Sequence, residues 1–164
     1  MLEIERKFMI ASDAWKDLAD AGTPIRQGYL SLGEPTVRVR LKGTKAYLTI
    51  KATKSPGVRH EFEYQIPVGE AETMLSTLIL RPPIEKIRYC VPFAGHIWEI
   101  DIFEGANKGL QIAEVELQSR DERVDLPYWI GPEVSDDPRF FNAYLTHRPF
   151  AGWGVDYATL LKRV

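Results

Sequence analysis

The sequence predicts a mainly β protein of the α+β class: an eight-stranded antiparallel closed barrel with a charged interior and helices packed outside. Three observations predict it. Eight segments alternate apolar and polar residues with period two, the signature of strands with one face buried. Most of their polar sides carry like-charge pairs two residues apart, such as Glu-x-Glu and Arg-x-Arg. Amphipathic helical stretches stand between or after these segments, so helices are available to cover one side of a sheet.

The elements follow in order. Residues 2–10 set Leu2, Ile4 and Phe8 against Glu3, Glu5 and Lys7. Ser12 can cap a short helix through Trp15 and Leu18. A weaker strand over residues 25–32 turns Gln27, Tyr29 and Ser31 to its polar side. After Pro35, Val37, Val39 and Leu41 alternate with Arg38, Arg40 and Lys42. Leu48 and Ile50 then alternate with Tyr47, Thr49 and Lys51, and Phe62, Tyr64 and Ile66 with Glu61, Glu63 and Gln65. Glu70 and Glu72 complement a helix dipole at its start, and Met74, Leu75 and Leu78 give that helix an apolar stripe. Ile87, Tyr89 and Val91 alternate with Lys86, Arg88 and Cys90. Trp98, Ile100 and Ile102 do so with Glu99, Asp101 and Phe103. Ala113, Val115 and Leu117 close the set against Glu114, Glu116 and Gln118.

Asp137 before Pro138 marks an N-cap with proline at the first helical position, opening a helix that carries Phe141, Tyr144 and Leu145. A last amphipathic stretch covers residues 157–161. Ser55-Pro56-Gly57, Pro82-Pro83 and Gly105-Ala106-Asn107 read as turns. No repeat or long linker divides the chain, so one domain over residues 1–164 is expected, with barrel strands over about 2–118 and C-terminal helices over about 137–163. Phe8, Phe62, Tyr64, Tyr89, Trp98 and Phe141 fall on apolar faces and are expected in the core.

Composition excludes several classes. With 164 residues, 45% hydrophobic and 27% charged, the chain is ordinary for a globular domain and unlike a disordered or fibrous one. Its 21 basic and 23 acidic residues nearly cancel, so no global field points to nucleic acid or a membrane surface, and neither partner is expected. One cysteine allows no internal disulfide and no multi-cysteine zinc site. No stretch approaches the ~20 apolar residues of a membrane span, and charged residues occupy the place of a secretory signal. A soluble cytoplasmic protein is expected, monomeric or homodimeric.

An open sheet with its polar face in water is the competing arrangement. Repeated like-charge pairs repel at close range and call for opposite charges, metals or ligands across from them, which a barrel interior supplies. The acids there would be Glu3, Glu5, Glu61, Glu63, Glu99, Asp101, Glu114 and Glu116. The bases would be Lys7, Arg38, Arg40, Lys42, Lys51, Lys86 and Arg88, with Arg26 and Arg59 less clearly placed. Carboxylate clusters suit Mg²⁺ or Mn²⁺ together with phosphate, and guanidinium forks match phosphate oxygens. Both kinds in one site point to a metal–polyphosphate complex. The sequence has no Walker-type loop, no Gly-x-Gly-x-x-Gly and no Gly-x-Ser-x-Gly. His60, His96 and His147 lack metal-ligand spacing, His147 being placed just past a helix end, and Cys90 reads as packing.

The opening Glu3-Ile4-Glu5-Arg6-Lys7-Phe8 resembles the Glu-x-Glu-x-Lys signature of the CYTH domain family, the triphosphate tunnel metalloenzymes. The likeness runs on through Arg26-Gln27-Gly28-Tyr29-Leu30, Val37-Arg38-Val39-Arg40, Leu48-Thr49-Ile50-Lys51 and Glu61-Phe62-Glu63. It extends to Lys86-Ile87-Arg88-Tyr89, Trp98-Glu99-Ile100-Asp101, Glu114-Val115-Glu116-Leu117 and Asn142-Ala143-Tyr144-Leu145. The resemblance implies an antiparallel tunnel that binds a small triphosphate with Mg²⁺ or Mn²⁺. Glu3, Glu5, Glu114 and Glu116 would be metal ligands, with Glu63 and Asp101 contributing. Lys7, Arg38, Arg40, Lys51, Lys86 and Arg88 would clamp the triphosphate. The competing role for any of them is an ion pair that shapes the barrel.

The compact length resembles the small bacterial inorganic triphosphatases of that family. Tyr29, whose phenol a nearby ammonium such as Lys86 would lower in pKa, is a candidate base. A hydrogen bond from Tyr29 to phosphate is the alternative. Two sister activities use such a tunnel: class IV adenylate cyclase, and thiamine triphosphatase, for which Trp15, Trp129 or Trp153 would have to supply an aromatic platform. A polyphosphate-binding sensor is the non-enzymatic reading.

Overall fold

The computed structural model describes residues 2–55 and 58–164, Leu2 by its backbone alone; Pro56 and Gly57 of the expected 55–57 turn lie outside the described residues. Among the described residues ten strands form one antiparallel sheet: β1 (Leu2–Glu3), β2 (Glu5–Ile10), β3 (Thr23–Ser31), β4 (Thr36–Lys42), β5 (Lys45–Ser55), β6 (Val58–Ile66), β7 (Ile84–Phe93), β8 (His96–Phe103), β9 (Gln111–Glu116) and β10 (Ile130–Glu133). Their order is β1-β6-β5-β4-β3-β7-β8-β9-β2-β10. Helices α1 (Val68–Thr77), α2 (Asn142–His147) and α3 (Tyr157–Arg163) lie beside it, with 3₁₀ turns at Asp13–Leu18, Gly105–Asn107, Pro138–Phe140 and Phe150–Gly152.

The first expected strand is two. Ile4 alone separates β1, paired with β6, from β2, paired with β9 and β10, and its carbonyl accepts from Leu117 N at 2.8 Å. One short stretch of chain thus flanks both sides of the sheet order. Two hairpins run tight: β4 and β5 meet through Gly43-Thr44, with Gly43 at φ 58°, and β7 and β8 through Ala94-Gly95, both at positive φ.

Side chains alternate between the faces as the period-two pattern requires. On the apolar face of β2, β7, β8 and β9, Phe8, Val91, Trp98, Ile100, Ala113 and Val115 form a core closed by Trp15 and Trp129. Phe8 and Trp129 hold Trp98 between them at ring separations of 5.5 and 5.7 Å. On the apolar face of β3–β5, Val39 and Ala46 meet Ala71 and Leu75 of α1. Gly28 lets α1 and the residues just after it approach there; a Cβ on it would stand 3.1 Å from Leu75 Cδ2 of α1 and 2.5 Å from Ile79 Cγ2 beyond its end.

A third core occupies the opposite face at one end. Met9, Ile84, Phe103 and Ile112 continue the charged rows of Lys7, Lys86, Asp101 and Glu114 by two residues each, and Phe140, Leu145, Phe150 and Leu160 cover them. The charged face therefore becomes apolar where the C-terminal segment packs on it.

Several expectations are corrected. β10, with Gly131 and Pro132 inside it, has no alternation; it is tolerated at the sheet edge, where a missing N–H costs no ladder bond. The 12–18 helix is 3₁₀ and Ser12 makes no side-chain cap. The helix expected from Asp137 breaks into a 3₁₀ turn, capped by Asp137 on Arg139 N, and α2, whose last residue is His147. Leu78 ends α1 exposed. Phe62 and Tyr64 have the expected parity but are 48% and 55% exposed, because the core under α1 takes in only Ile66, at the end of β6. Phe141 lines a cavity instead of joining the core.

Candidate functional site

Side chains two apart return to the same face, and on the charged face they surround a cavity of about 600 Å³. Glu3, Glu5 and Lys7 come from the N-terminal strands, Tyr29 from β3, and Arg38, Arg40 and Lys42 from β4. Thr49, Lys51, Arg59 and Glu61 come from β5 and β6, and Lys86, Arg88, Glu99, Glu114 and Glu116 from β7–β9. Phe141, Asn142 and Ala143 bound it where the C-terminal segment crosses.

The deepest layer is a buried ion cluster. Asp101, with no exposed surface, takes Arg88 Nε on Oδ1 at 2.6 Å and Arg88 Nη2 on Oδ2 at 2.6 Å, and contacts the Lys86 ammonium. Arg88 also reaches Glu114 Oε2 at 2.8 Å and contacts Glu99. Lys7 contacts Glu114 and lies 2.9 Å from Glu5 Oε1. Isolated ions would be excluded at this depth, so each is held by opposite charge. Burial alone would raise the carboxyl pKa values of Asp101 and Glu114, but Arg88 with Lys86, and Lys7 with Arg88, hold both below the usual range. Burial pushes Lys86 down to about 8 with Arg88 adding to it, against the opposing pull of Asp101. Lys7 goes the other way, Glu114 and Glu5 outweighing burial.

Nearer the rim, Lys51 Nζ meets Glu3 Oε1 at 2.6 Å and Glu61 Oε2 at 3.4 Å, and Arg59 Nη2 meets Glu5 Oε1 at 3.1 Å. Glu63 Oε2 collects Arg40 Nη2 at 2.9 Å, Thr49 Oγ1 at 2.9 Å and Arg38 Nη2 at 3.6 Å. Arg40 is depressed by burial and by Arg38. Glu116 has no ion-pair partner among the described residues; burial, then Glu3, Glu61, Glu99 and Glu5, raise its carboxyl pKa. Glu3 Oε2 is buried without a hydrogen bond.

Of the residues expected from sequence, Glu3, Glu5, Glu114, Glu116, Lys7, Arg38, Arg40, Lys51, Lys86, Arg88 and Tyr29 line one cavity. Asp101 does not: it lies behind the wall, both oxygens committed to Lys86 and Arg88. Glu63 also stands outside it, behind Arg40 and Thr49. The phenol of Tyr29 is not lowered. Burial raises it over the opposing pull of Arg38, Lys7 and Arg59, while the Lys86 ammonium faces Asp101 and Asn142 Oδ1, 3.2 Å away. Thr49, Thr36, Asn142 and the rim residue His96 carry no charge-pair signature; parity beside Lys51 and Arg38 marks Thr49 and Thr36, and the family resemblance takes in Thr49 and Asn142.

No three His, Cys, Asp or Glu among the described residues already stand as a metal cage. The donor chemistry nevertheless fits a hard divalent cation: carboxylates of Glu3, Glu5 and Glu116 converge with Glu61 and Glu99, and Glu3 Oε2 lacks a hydrogen-bond partner. The trio Trp15, Trp129 and Trp153 pack away from the cavity.

The CYTH domain model matches residues 1–141. The chain is 47% identical over 149 residues to the inorganic triphosphatase of Acetivibrio thermocellus, covering 90% of this chain and 95% of that one. It is 36% identical over 150 residues to the inorganic triphosphatase of Nitrosomonas europaea, covering 88% and 97%. The crystal structure of an inorganic triphosphatase superposes with a TM-score of 0.62 at 34% identity over 88% of this chain and 93% of that one. A Hippeastrum protein described as a putative adenylyl cyclase with dominant triphosphatase activity, at 18% identity and a TM-score of 0.52 over 71% and 80%, shares the fold. The matched residues include the Glu-x-Glu-x-Lys opening and the strands that wall the cavity, and the chain belongs to the CYTH domain family.

Proposed function

We propose that the protein hydrolyses inorganic triphosphate to pyrophosphate and phosphate, using Mg²⁺ or Mn²⁺, inside a closed antiparallel tunnel. The observation that carries this reading is one cavity in which Lys7, Arg38, Arg40, Lys51, Lys86 and Arg88 face the carboxylates of Glu3, Glu5, Glu114 and Glu116. An anion binder needs the cations alone; the added acids call for a metal. The names of the two relatives support the choice of substrate. Closure of the tunnel rests on Ile4, where β1 on β6 continues into β2 on β9.

Glu3, Glu5, Glu114 and Glu116 would hold the metal. A divalent ion held there would supply neutralisation of phosphate charge and a lowered pKa for water. The guanidinium groups of Arg38, Arg40 and Arg88 and the ammonium groups of Lys7, Lys51 and Lys86 orient the phosphates, exchanging Glu63 and Glu3 for phosphate oxygens. Asp101 serves as the fixed counterion that aims Lys86 and Arg88, a different role from metal ligation. Tyr29, kept protonated by burial, donates to a phosphate oxygen. Trp15, Trp129 and Trp153, the residues expected to supply a platform for a thiamine ring, do not line the cavity.

The test is product release from inorganic triphosphate, ATP and thiamine triphosphate with Mg²⁺, Mn²⁺ or chelator. Orthophosphate release from inorganic triphosphate is expected with metal and lost in chelator, and Glu5→Gln or Arg40→Ala should reduce kcat/KM by about a hundredfold or more. Cyclic AMP and pyrophosphate from ATP would overturn it in favour of a cyclase. Tight binding without turnover would make the protein a sensor.

A further inference from the structure

Gln27, beside the site, is the one side chain among the described residues with two buried polar atoms and a hydrogen bond to neither. It lies on β3 two residues from Tyr29, has no exposed surface, and neither Oε1 nor Nε2 has a hydrogen-bond partner. It does not line the cavity, so it stands behind the first layer of side chains. Buried amides are almost always paired, and an exception asks for a reason. Its register partners are Arg40 on β4 and Ile84 on β7. Same-face partners stand about 4.5–5.5 Å apart at Cβ, within reach of two long side chains.

Arg40 has the complementary deficit. Its Nε is buried without a partner, and Nη2 alone is held, by Glu63 Oε2 at 2.9 Å. Ile84 offers no polar group. The guanidinium is thus gripped at one edge by a carboxylate that a phosphate would compete with, while the residue register-paired with Arg40 on the neighbouring strand holds an unused acceptor.

We propose that Gln27 is a positioning residue of the phosphate clamp: its carbonyl oxygen receives the Arg40 Nε–H once the guanidinium has exchanged Glu63 for phosphate oxygens, fixing the plane of the fork. The inference rests on the reading of the cavity as a triphosphate site. In the free protein the amide is an unmet cost; in the loaded one it prevents Arg40 from swinging.

Gln27→Met keeps length and removes both polar atoms, and Gln27→Leu is a second, shorter variant. Steady-state hydrolysis of inorganic triphosphate with Mg²⁺ should show KM raised roughly tenfold to a hundredfold with kcat held. The thermal midpoint should stay or rise, since an orphaned amide gives way to apolar packing. In an Arg40→Lys background, which has no Nε–H, adding Gln27→Met should change KM no further. An unchanged KM in either folded Gln27 variant overturns the proposal, as does an equal KM penalty in the Arg40→Lys background. A KM increase that comes with a lower thermal midpoint, or failure of both variants to fold, makes Gln27 structural and also overturns it. If the unaltered protein neither binds nor hydrolyses inorganic triphosphate, the functional reading itself falls; if it does and Gln27→Met matches it, this inference falls alone.

Discussion

Lys86 shows how a single buried charge is tuned and what that does to stability. Its ammonium contacts Asp101 and lies 3.2 Å from Asn142 Oδ1, yet burial, with Arg88 beside Asp101, brings its pKa from 10.5 to about 8. Below about 8 both the folded and unfolded chains hold the proton, and the fold bears the cost of a buried cation. Between about 8 and 10.5 the folded chain has released the proton and the unfolded chain keeps it, so stability should rise with pH across that window. Lys7, raised above 10.5, acts in the opposite sense and loses its contribution only above that value. Denaturant midpoints in chelator should therefore move upward across the window, and the rise should vanish in Lys86→Met. Asp101→Asn tests the other half of the pair. It leaves Lys86 and Arg88 buried without their shared counterion and should cost about 3–5 kcal/mol. Glu133→Gln, at the part-exposed pair with Arg6, should cost no more than about 1 kcal/mol.

At the level of elements, α1 is the one whose seat can be moved without touching the charged face. Gly28 lies under it, and a side chain there would meet Ile79 Cγ2 at 2.5 Å and Leu75 Cδ2 at 3.1 Å. Gly28→Val should lower stability by about 1–3 kcal/mol in urea unfolding. Gly69, inside α1 with nothing within 4 Å of its would-be Cβ, should instead gain about 0.4–1 kcal/mol as Gly69→Ala. Strands were legible because alternation is a direct consequence of a two-faced sheet, and β2 to β9 follow it. β10 was not, since Ile130-Gly131-Pro132-Glu133 has no period and pairs only because β2 lies beside it. The face of each charge was legible and its depth was not. Asp101 and Glu116 carry the same two-residue acidic spacing, but one is wholly buried against Arg88 and the other stands near the rim among carboxylates. Depth follows the level at which a strand crosses its neighbours, which no single strand encodes. The exposure of Phe62 and Tyr64 has the same origin: parity says which way they point, and only the extent of α1 says that its core does not take them in.

For the whole molecule, the weakest join is the one on which the proposed closure depends. β1 meets β6 through Leu2↔His60 and Glu3↔Arg59, whereas β4 and β5 pair without interruption from Thr36↔Lys51 to Lys42↔Lys45. Few ladder bonds hold that seam, and charges cross it instead: Lys51 to Glu3 at 2.6 Å and Arg59 to Glu5 at 3.1 Å. In the proposed reading these residues also take metal and phosphate, so loading the site would act on the seam directly. Local opening costs least where backbone bonds are few and solvated, and the Glu3 and Arg59 amides should therefore exchange well before those of Val39 and Leu48. Inorganic triphosphate with Mg²⁺ should slow exchange at the seam by a larger factor than at the β4–β5 ladder, because the ligand ties Glu3, Glu5 and Lys51 together across it. Binding that only raised global stability would slow the most protected amides and leave the seam as fast as before. Amide exchange read by mass spectrometry or NMR, with and without ligand, separates the two: a seam-specific slowing supports a tunnel closed by its own substrate, and an unaltered seam would mean that β1 is not part of the wall that holds it.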